Sequence, residues 1–367
     1  MNGKLNLSIL IFIMLFVAGC GKKETYKPVE DVGMIGVMAF DYVDEDSMKL
    51  TVAIPQYSPQ AKESTQFFTV TTDLVSKGIS ELERQSDKKV VLNQMRVVLI
   101  GEEFARKGEV QKVIRHIYRN PDIGNKVLVA VVKESGEELM KAEYPDKPGV
   151  IFYLNDLLQP TINLAFNPNT NIHDYIYTQT NPAIDPIVPL LELNNQKIDL
   201  VGIAVFKDKE MLKSLTPTDA LIVQILKGNK KLAPLYVPIN ENEKLMLNII
   251  DNKVKMKSNK NAQSPKITIN VSLEGALVEV TGEREASLKK EANITKLEKS
   301  INAIIEEQIN EFFKGLKEDE VDPIGLSENF RKYYNGKWDT KMTRETMGKL
   351  EWDIKVDTSI ISKGILH

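Results

Sequence analysis

Two kinds of hydrophobic pattern occur along the first part of the chain, one typical of strands and one typical of helices. Residues 32–40 and 49–54 predict two strands, and the polar residues 41–46 predict the turn between them. From Phe67 to Leu82, apolar side chains recur every three or four residues, which is the spacing of one helical face. The chain therefore opens with strands and helices mixed.

Continuous apolar strands between amphipathic helices indicate a sheet covered by helices. Residues 97–100 and 127–132 are such strands, and residues 110–117 between them have the pattern of an amphipathic helix. Prolines then interrupt residues 144–195 repeatedly, which favours short helices and loops. We expect residues 31–195 to form an N-terminal mixed α/β domain.

The pattern changes again near residue 196. An apolar strand over residues 199–206 precedes a helix in which Thr216 is the N-cap and Pro217 occupies the first helical position. Shorter strand patterns follow, and a polar link closes the segment. These elements predict a small middle α+β domain over residues 196–264.

The last hundred residues predict a sheet and one long helix. Residues 267–273 alternate apolar and polar side chains, as a strand with one solvent-facing side does. A helical pattern runs from Ile294 to Phe312, and residues 353–361 alternate again as a final strand. We expect residues 265–367 to form an antiparallel sheet packed on the long helix. The fold class is thus α+β, with three mixed domains.

The chain has one cysteine, and it stands directly after an N-terminal apolar run. Residues 5–17 are too few to cross a bilayer, which takes roughly 18 to 20 residues. The small residues Ala18 and Gly19 precede Cys20, an arrangement typical of bacterial lipoprotein precursors. We predict a lipoprotein signal peptide over residues 1–19 and lipid attachment to Cys20. An ordinary secretory signal followed by a free thiol is the alternative.

Composition limits what the rest of the chain can be. Residues 20–30 are polar and predict a tether behind the lipid. The formal net charge is -3, and it becomes -4 when residues 1–19 leave with their single charged residue, a lysine. A weakly acidic body has no general attraction to nucleic acid or anionic lipid. Local lysine clusters such as the one over residues 253–257 are interpreted as solvated faces.

The residues that common catalytic sites require are missing as sequence patterns. The three histidines, which lie far apart along the chain, are His116, His173 and His367. Neither a phosphate-binding glycine-rich loop nor a nucleophile elbow occurs, and no histidine or cysteine cluster has zinc spacing. Adjacent acids such as Glu306 and Glu307 diverge on a helix and are expected in solvent. We therefore expect no enzymatic activity, no metal and no cofactor.

Gln308 is a polar residue on the apolar stripe of the predicted long helix. If it is buried, leaving its amide without a partner costs about 1 to 3 kcal/mol. A structural hydrogen bond to the loop near Asp322 is the favoured role for it. A contact with a partner protein is the alternative.

Several short blocks occur in a fixed order along the chain. They are TVAIP at residues 51–55, QMRVVLIGEEFARKG at 94–108, IYRN at 117–120, GIAVFKDK at 202–209, VDPIGL at 321–326 and the closing stretch at 356–364. With the lipid site at Cys20 and Gln308 on the long helix, these blocks resemble the Ger(x)C family, the C-subunit lipoproteins of nutrient germinant receptors. Residues 21–24 depart from the family pattern, and residues 144–195 match weakly.

The resemblance implies a non-enzymatic, palmitoylated lipoprotein that spores require for germination. It would be a scaffold or signalling partner of two integral membrane subunits, the A-type and B-type germinant receptor subunits, in which nutrient binding mainly lies. Its location would be the outer face of the cytoplasmic membrane, which in spores is the inner spore membrane. The alternative is a lipid-anchored solute-binding protein of the cell envelope that captures a small ligand in a cleft between domains.

Overall fold

The computed structural model describes residues 32–56, 64–159, 166–230, 232–281 and 291–362, which form two large sheets and one two-stranded pair. The strands are β1 (Val32–Met34), β2 (Val37–Tyr42), β3 (Met48–Pro55), β4 (Thr65–Thr72), β5 (Lys89–Val91), β6 (Val97–Gly101), β7 (Leu128–Val132), β8 (Ile187–Asn194), β9 (Lys197–Lys207), β10 (Glu210–Leu215), β11 (Leu235–Pro238), β12 (Lys244–Ser258), β13 (Lys266–Val280) and β14 (Glu351–Ser362).

The helices lie between these strands. They are α1 (Val75–Gln85), α2 (Glu102–Arg106), α3 (Val110–Arg119), α4 (Gly136–Lys141), α5 (Val150–Leu158), α6 (Ile172–Thr180), α7 (Pro217–Leu226), α8 (Glu291–Asp319), α9 (Glu328–Arg331) and α10 (Thr340–Lys349). None of those in the described residues is both long and apolar enough to cross a membrane. The predicted signal peptide, the tether with Cys20, and His367 fall outside the described residues.

The N-terminal sheet has eight strands in the order β10-β9-β8-β7-β6-β2-β3-β4. Strands β2, β6, β7 and β8 run parallel, and antiparallel strands extend the sheet on both sides. Both faces are covered, because Val98 and Ile100 of β6 pack into one buried cluster while Val97 and Leu99 pack into another. This two-sided burial explains the continuous apolar strands and confirms the mixed α and β class.

The helix expected between Phe67 and Leu82 begins later than its apolar spacing indicated. Residues Thr65–Thr72 instead form β4, which pairs antiparallel with β3, and α1 starts at Val75. Threonine and phenylalanine dominate β4, and both residue types favour strands. Strand pairing therefore overrode a helical spacing that was shared by only a few apolar residues.

The C-terminal sheet has four strands in the order β11-β12-β13-β14. Strands β11, β12 and β13 are antiparallel neighbours, whereas β14 runs parallel to β13, so the sheet is mixed and not purely antiparallel as expected. The reason is α8, whose 29 residues span about 44 Å at ~1.5 Å per residue. That length carries the chain back along the sheet to the end where β13 began.

The segment expected to form a middle domain has no sheet of its own. Strands β9 and β10 complete the N-terminal sheet, while β11 and β12 belong to the C-terminal one. The expected boundary near residue 195 falls in the turn of the β8–β9 hairpin, where Asn194 pairs with Lys197. Helix α7 does begin as predicted, with Thr216 as N-cap in a capping box with Asp219. Its apolar face packs into the C-terminal core.

Candidate functional site at the junction of the two sheets

The two sheets meet where the chain leaves α6 and enters β8. Residues 182–186 of this connection lie against the loop that follows α8 and against α10. The proline-rich sequence here favours extended backbone, which leaves carbonyl and amide groups free to bond across the junction. This contact helps to hold the two sheets together, beside an apolar cluster that also spans them.

Asp322 organises the loop after α8. Its side chain is fully buried. One carboxylate oxygen accepts the N–H groups of Gly325 and Leu326 at 2.7 and 2.9 Å, and the other accepts the N–H of Ser327 at 2.6 Å. Gly325 has a φ of +89°, a conformation that glycine adopts without strain. Burial raises the pKa of Asp322, and the backbone hydrogen bonds oppose that rise.

Asp185 connects this loop to the N-terminal sheet. The N–H of Asp185 donates to the carbonyl oxygen of Asp322 at 2.8 Å, and the N–H of Asp322 donates to Oδ2 of Asp185 at 2.6 Å. Arg344 of α10 holds the same carboxylate through two N–H···O bonds of 2.6 Å each. The side chains of Arg344 and Asp185 are only 11% and 5% exposed. Charge-assisted, two-pronged bonds of this kind are among the strongest in proteins.

Arg344 also reaches two further oxygens. It donates to the carbonyl oxygen of Glu320 at 2.8 Å and to Oδ1 of Asp208 at 3.3 Å. Burial by itself lowers the pKa of Arg344, but Asp185 and Asp208 outweigh it and raise the pKa overall. The guanidinium therefore stays charged and bound between the two units.

Further contacts surround this centre. The hydroxyl of Thr343 donates to the carbonyl oxygen of Pro182 at 2.5 Å and accepts the indole N–H of Trp338 at 2.8 Å. On the other side, Lys213 of β10 forms an ion pair with Asp319 at the end of α8. The junction is thus a set of structural polar contacts. The Asp185 carboxylate and both terminal nitrogens of Arg344 bond to each other, so the arrangement fixes the geometry of the junction.

Of the two residues predicted to make a structural polar contact, Asp322 makes several. Gln308 lies on α8 eleven residues before Asp319, the last residue of the helix, which corresponds to about 16 Å along its axis. It is half-buried and lines a groove of about 650 Å³ between α7 and α8, whose other walls include Ile222, Phe312 and Glu311. The structure therefore does not bring Gln308 to the Asp322 loop.

The histidines of the described residues are separate from the junction and from each other. Ring Nε2 of His116 lies 3.2 Å from the hydroxyl of Ser76, and Nδ1 of His173 lies 3.4 Å from the hydroxyl of Tyr118. Among the described residues, no group of three or more histidine, cysteine or acidic side chains could hold a metal ion. A cavity of about 250 Å³ near the β2–β3 turn has Phe104 in its wall and the acids of that turn at its rim.

A row of polar residues on α8 is a feature that the sequence interpretation missed. Side-chain oxygens of Glu298, Asn302 and Glu306 accept the N–H groups of Ile360, Thr358 and Val356, with distances of 2.9, 2.9 and 2.8 Å. Asn310 accepts the indole N–H of Trp352 at 2.8 Å. Unpaired edge strands invite pairing with other chains, and this row covers the edge of β14. These polar residues recur every four positions beside the apolar stripe of α8, and this spacing in the sequence could have indicated the row.

The chain is similar to known proteins along nearly its whole length. A family model described as the spore germination protein N-terminal domain matches residues 25–193, and one described as spore germination B3/GerAC like, C-terminal, matches residues 201–364. The spore germination protein GerQC of Bacillus cereus is 25% identical over 359 residues, which cover 97% of this chain and 98% of that protein.

Two further comparisons extend this result. The spore germination protein B3 of Bacillus subtilis (strain 168) is 21% identical over 367 residues, covering 95% of this chain and 96% of that protein. The crystal structure of the GerBC protein superposes with a TM-score of 0.60 at 16% identity, covering 89% of this chain and 97% of that one. At this identity the structural likeness shows the fold.

Proposed function

Because the chain belongs to the Ger(x)C family of spore germination proteins, we propose that it is the lipid-anchored C-type subunit of a nutrient germinant receptor. The observation that carries this proposal is the match of both family domains, in order, over residues 25–193 and 201–364. The two relatives are also matched over nearly their full lengths.

The anchor in this proposal is a lipid on Cys20. The supporting pattern is the short apolar run followed by Ala18, Gly19 and Cys20, after which cleavage would remove residues 1–19. Two acyl chains hold a protein on a membrane stably, whereas one gives only marginal binding. Residues 20–31 reach at most about 40 Å at ~3.5 Å per residue, so the folded body would stay close to the outer face of the membrane.

The role of the folded body would be structural and not enzymatic. Support comes from the junction, where Arg344 and the Asp322 loop clamp residues 182–186 and make the two sheets one unit. Such a unit can present a fixed surface to the A-type and B-type integral membrane subunits. A nutrient signal in those subunits would then be passed on or stabilised by contact with this chain.

Deleting the chain in its host tests this function. Spores that form normally are given candidate nutrients one at a time, and release of dipicolinic acid is measured. We expect the response to particular nutrients to be lost while non-nutrient triggers still work. An unchanged response to every nutrient in a host with no second receptor copy would contradict the proposal.

The anchor has its own test. Cys20→Ala should release the protein from the membrane fraction and reduce the nutrient response, while Cys20→Ala protein from the cell extract keeps the urea midpoint of the folded body. Membrane attachment and germination that both survive Cys20→Ala would refute the lipid site. Saturable nutrient binding by the isolated chain in calorimetry would instead support the solute-binding alternative, with the groove beside Gln308 as its place.

A further inference from the structure

Two lysines converge on one exposed tyrosine at the tip of the C-terminal sheet. The ammonium nitrogen of Lys260, in the β12–β13 turn, lies 4.6 Å from the centroid of the Tyr333 ring, and that of Lys332 lies 5.3 Å from the same centroid. The turn is held against α9 because the hydroxyl of Ser258 donates to the carbonyl oxygen of Asn329 at 2.7 Å. We call Lys257, Lys260, Lys332, Tyr333 and Tyr334 the basic tip.

The two ammonium groups over the Tyr333 ring have no carboxylate partner among the described residues. Residues 252–273, which supply the hairpin, contain five lysines and no acidic residue. Within the described residues, neither Lys260 nor Lys332 forms an ion pair with a carboxylate, whereas Lys253 and Lys266 of the same hairpin do. Two ammonium groups that face one ring repel each other, and the ring's π face relieves only part of this cost. The arrangement therefore favours an external anion.

The aromatic residues of the tip suit a membrane surface. Tyr333 is 50% exposed and Tyr334 is 44% exposed, so much of both rings faces solvent. Tyrosine has an apolar body and a polar end, which is why it is enriched where bilayers meet water. Lysine beside it places its stem along apolar surface and its charge at the headgroups. An acidic peptide would use the lysines but would leave two tyrosine rings uncovered.

From these observations we propose that the basic tip is a second membrane contact, which binds the anionic phospholipid surface of the bilayer. This inference rests on the proposed lipid anchor, which the basic tip would assist by orienting the folded body. The tether over residues 20–30 reaches about 40 Å at ~3.5 Å per residue, which leaves the anchored body room to turn at the membrane. Without residues 1–19 the chain has a net charge of -4, so the remaining surface is acidic on balance, which favours one orientation.

Vesicle binding tests the proposal without the lipid anchor. The chain from residue 20 with Cys20→Ser keeps every described residue. It is floated with vesicles of phosphatidylcholine alone, or with roughly a third phosphatidylglycerol, at about 0.05 and 0.5 M salt. We expect binding to the anionic vesicles only, and weaker binding at high salt. Lys260→Glu with Lys332→Glu should lower the affinity about tenfold or more, because each basic residue near an anionic surface contributes about 1 kcal/mol.

Two lysines beside the N-terminal sheet serve as a matched control pair. The ammonium nitrogen of Lys147 lies 4.8 Å from the centroid of the Tyr153 ring, whose hydroxyl accepts the N–H of Ile198 beside Lys197. Lys147→Glu with Lys197→Glu makes the same change in net charge and should leave vesicle affinity within about twofold. Equal urea midpoints for both double variants would show that each is folded.

The other outcomes are equally informative. Absent binding of the parent chain to anionic vesicles, or equal losses in the two double variants, would overturn the assignment. If the tip variant bound vesicles normally and yet impaired germination in spores, the tip would contact an acidic protein and the lipid assignment would be wrong. Because the protein used with vesicles carries no lipid, the vesicle results are independent of the deletion and Cys20→Ala tests.

Discussion

Arg344 binds both carboxylate oxygens of Asp185 through bonds of 2.6 Å, although the two residues lie 159 positions apart. Asp185 precedes the first strand of a hairpin in the N-terminal sheet, and Arg344 lies on the helix before the last strand of the C-terminal one. One buried ion pair therefore joins the two halves of the chain that the separate family domains match.

Removing one member of this pair should destabilise the whole chain. Arg344→Ala leaves the Asp185 carboxylate buried without its charge partner, and such losses cost about 3 to 5 kcal/mol. Urea unfolding measures the change. Lys341→Ala on the same helix is the control, because Lys341 is 83% exposed and its ion pair with Glu345 is long at 3.9 Å. Similar midpoints for the two variants would show that the junction does not hold the sheets together.

Glu137 should make stability depend on pH in the acid range. It accepts bonds from Lys141, Lys49 and Thr69 at 2.6, 2.9 and 2.9 Å. Burial by itself raises the pKa of Glu137, but these partners outweigh it and bring the pKa from 4.5 to about 2.

The sign follows from the lowered pKa. A carboxyl group that is more acidic in the folded state stabilises the fold above its unfolded pKa, so its contribution is complete above about pH 4.5 and is lost as the pH falls toward 2. The contribution is at most about 3 kcal/mol. Glu137→Gln should reduce the fall in urea midpoint between pH 5 and pH 2. A pH profile identical to that of the parent chain would contradict the ion-pair assignment.

The edge of β14 should depend on the acceptor row of α8. Glu306→Ala removes the acceptor of the Val356 N–H and should cost about 1 to 3 kcal/mol, since the lost acceptor is charged. The exposed edge should also raise light scattering on prolonged incubation. Glu307→Ala, one residue further and exposed, should change stability by less than about 0.5 kcal/mol. If the two variants behaved alike, the row would have no protective role.

Gly202 should tolerate no side chain. A Cβ atom there would lie 2.0 Å from the carbonyl oxygen of Leu215, and its φ of +151° is one that other residues rarely adopt. Gly202→Ala must therefore shift the β9–β10 hairpin and should cost more than about 2 kcal/mol. Gly124→Ala is the comparison, because nothing lies within 4 Å of the added atom. Thermal unfolding measures both variants, and we expect a lower melting temperature for Gly202→Ala. Equal melting temperatures would refute the expectation.

Local pattern was a good guide to single elements and a poor guide to their partners. Alternation over residues 267–273 correctly indicated β13, and the apolar stripe from Ile294 to Phe312 correctly indicated α8. The same reasoning placed a domain boundary near residue 195, because a polar turn inside a hairpin and a polar link between domains have the same composition. Only the pairing of β9 with β8 distinguishes the two.

By itself, the sequence determined the α+β class, the capped start of α7 and the family, because burial and capping are recorded residue by residue in the pattern. Tertiary structure alone decided the parallel course of β14, the bond between Asp185 and Arg344, and the approach of Lys260 and Lys332 to Tyr333. Each of these joins segments distant along the chain, and no local periodicity encodes which distant segments the packing of two sheets brings together.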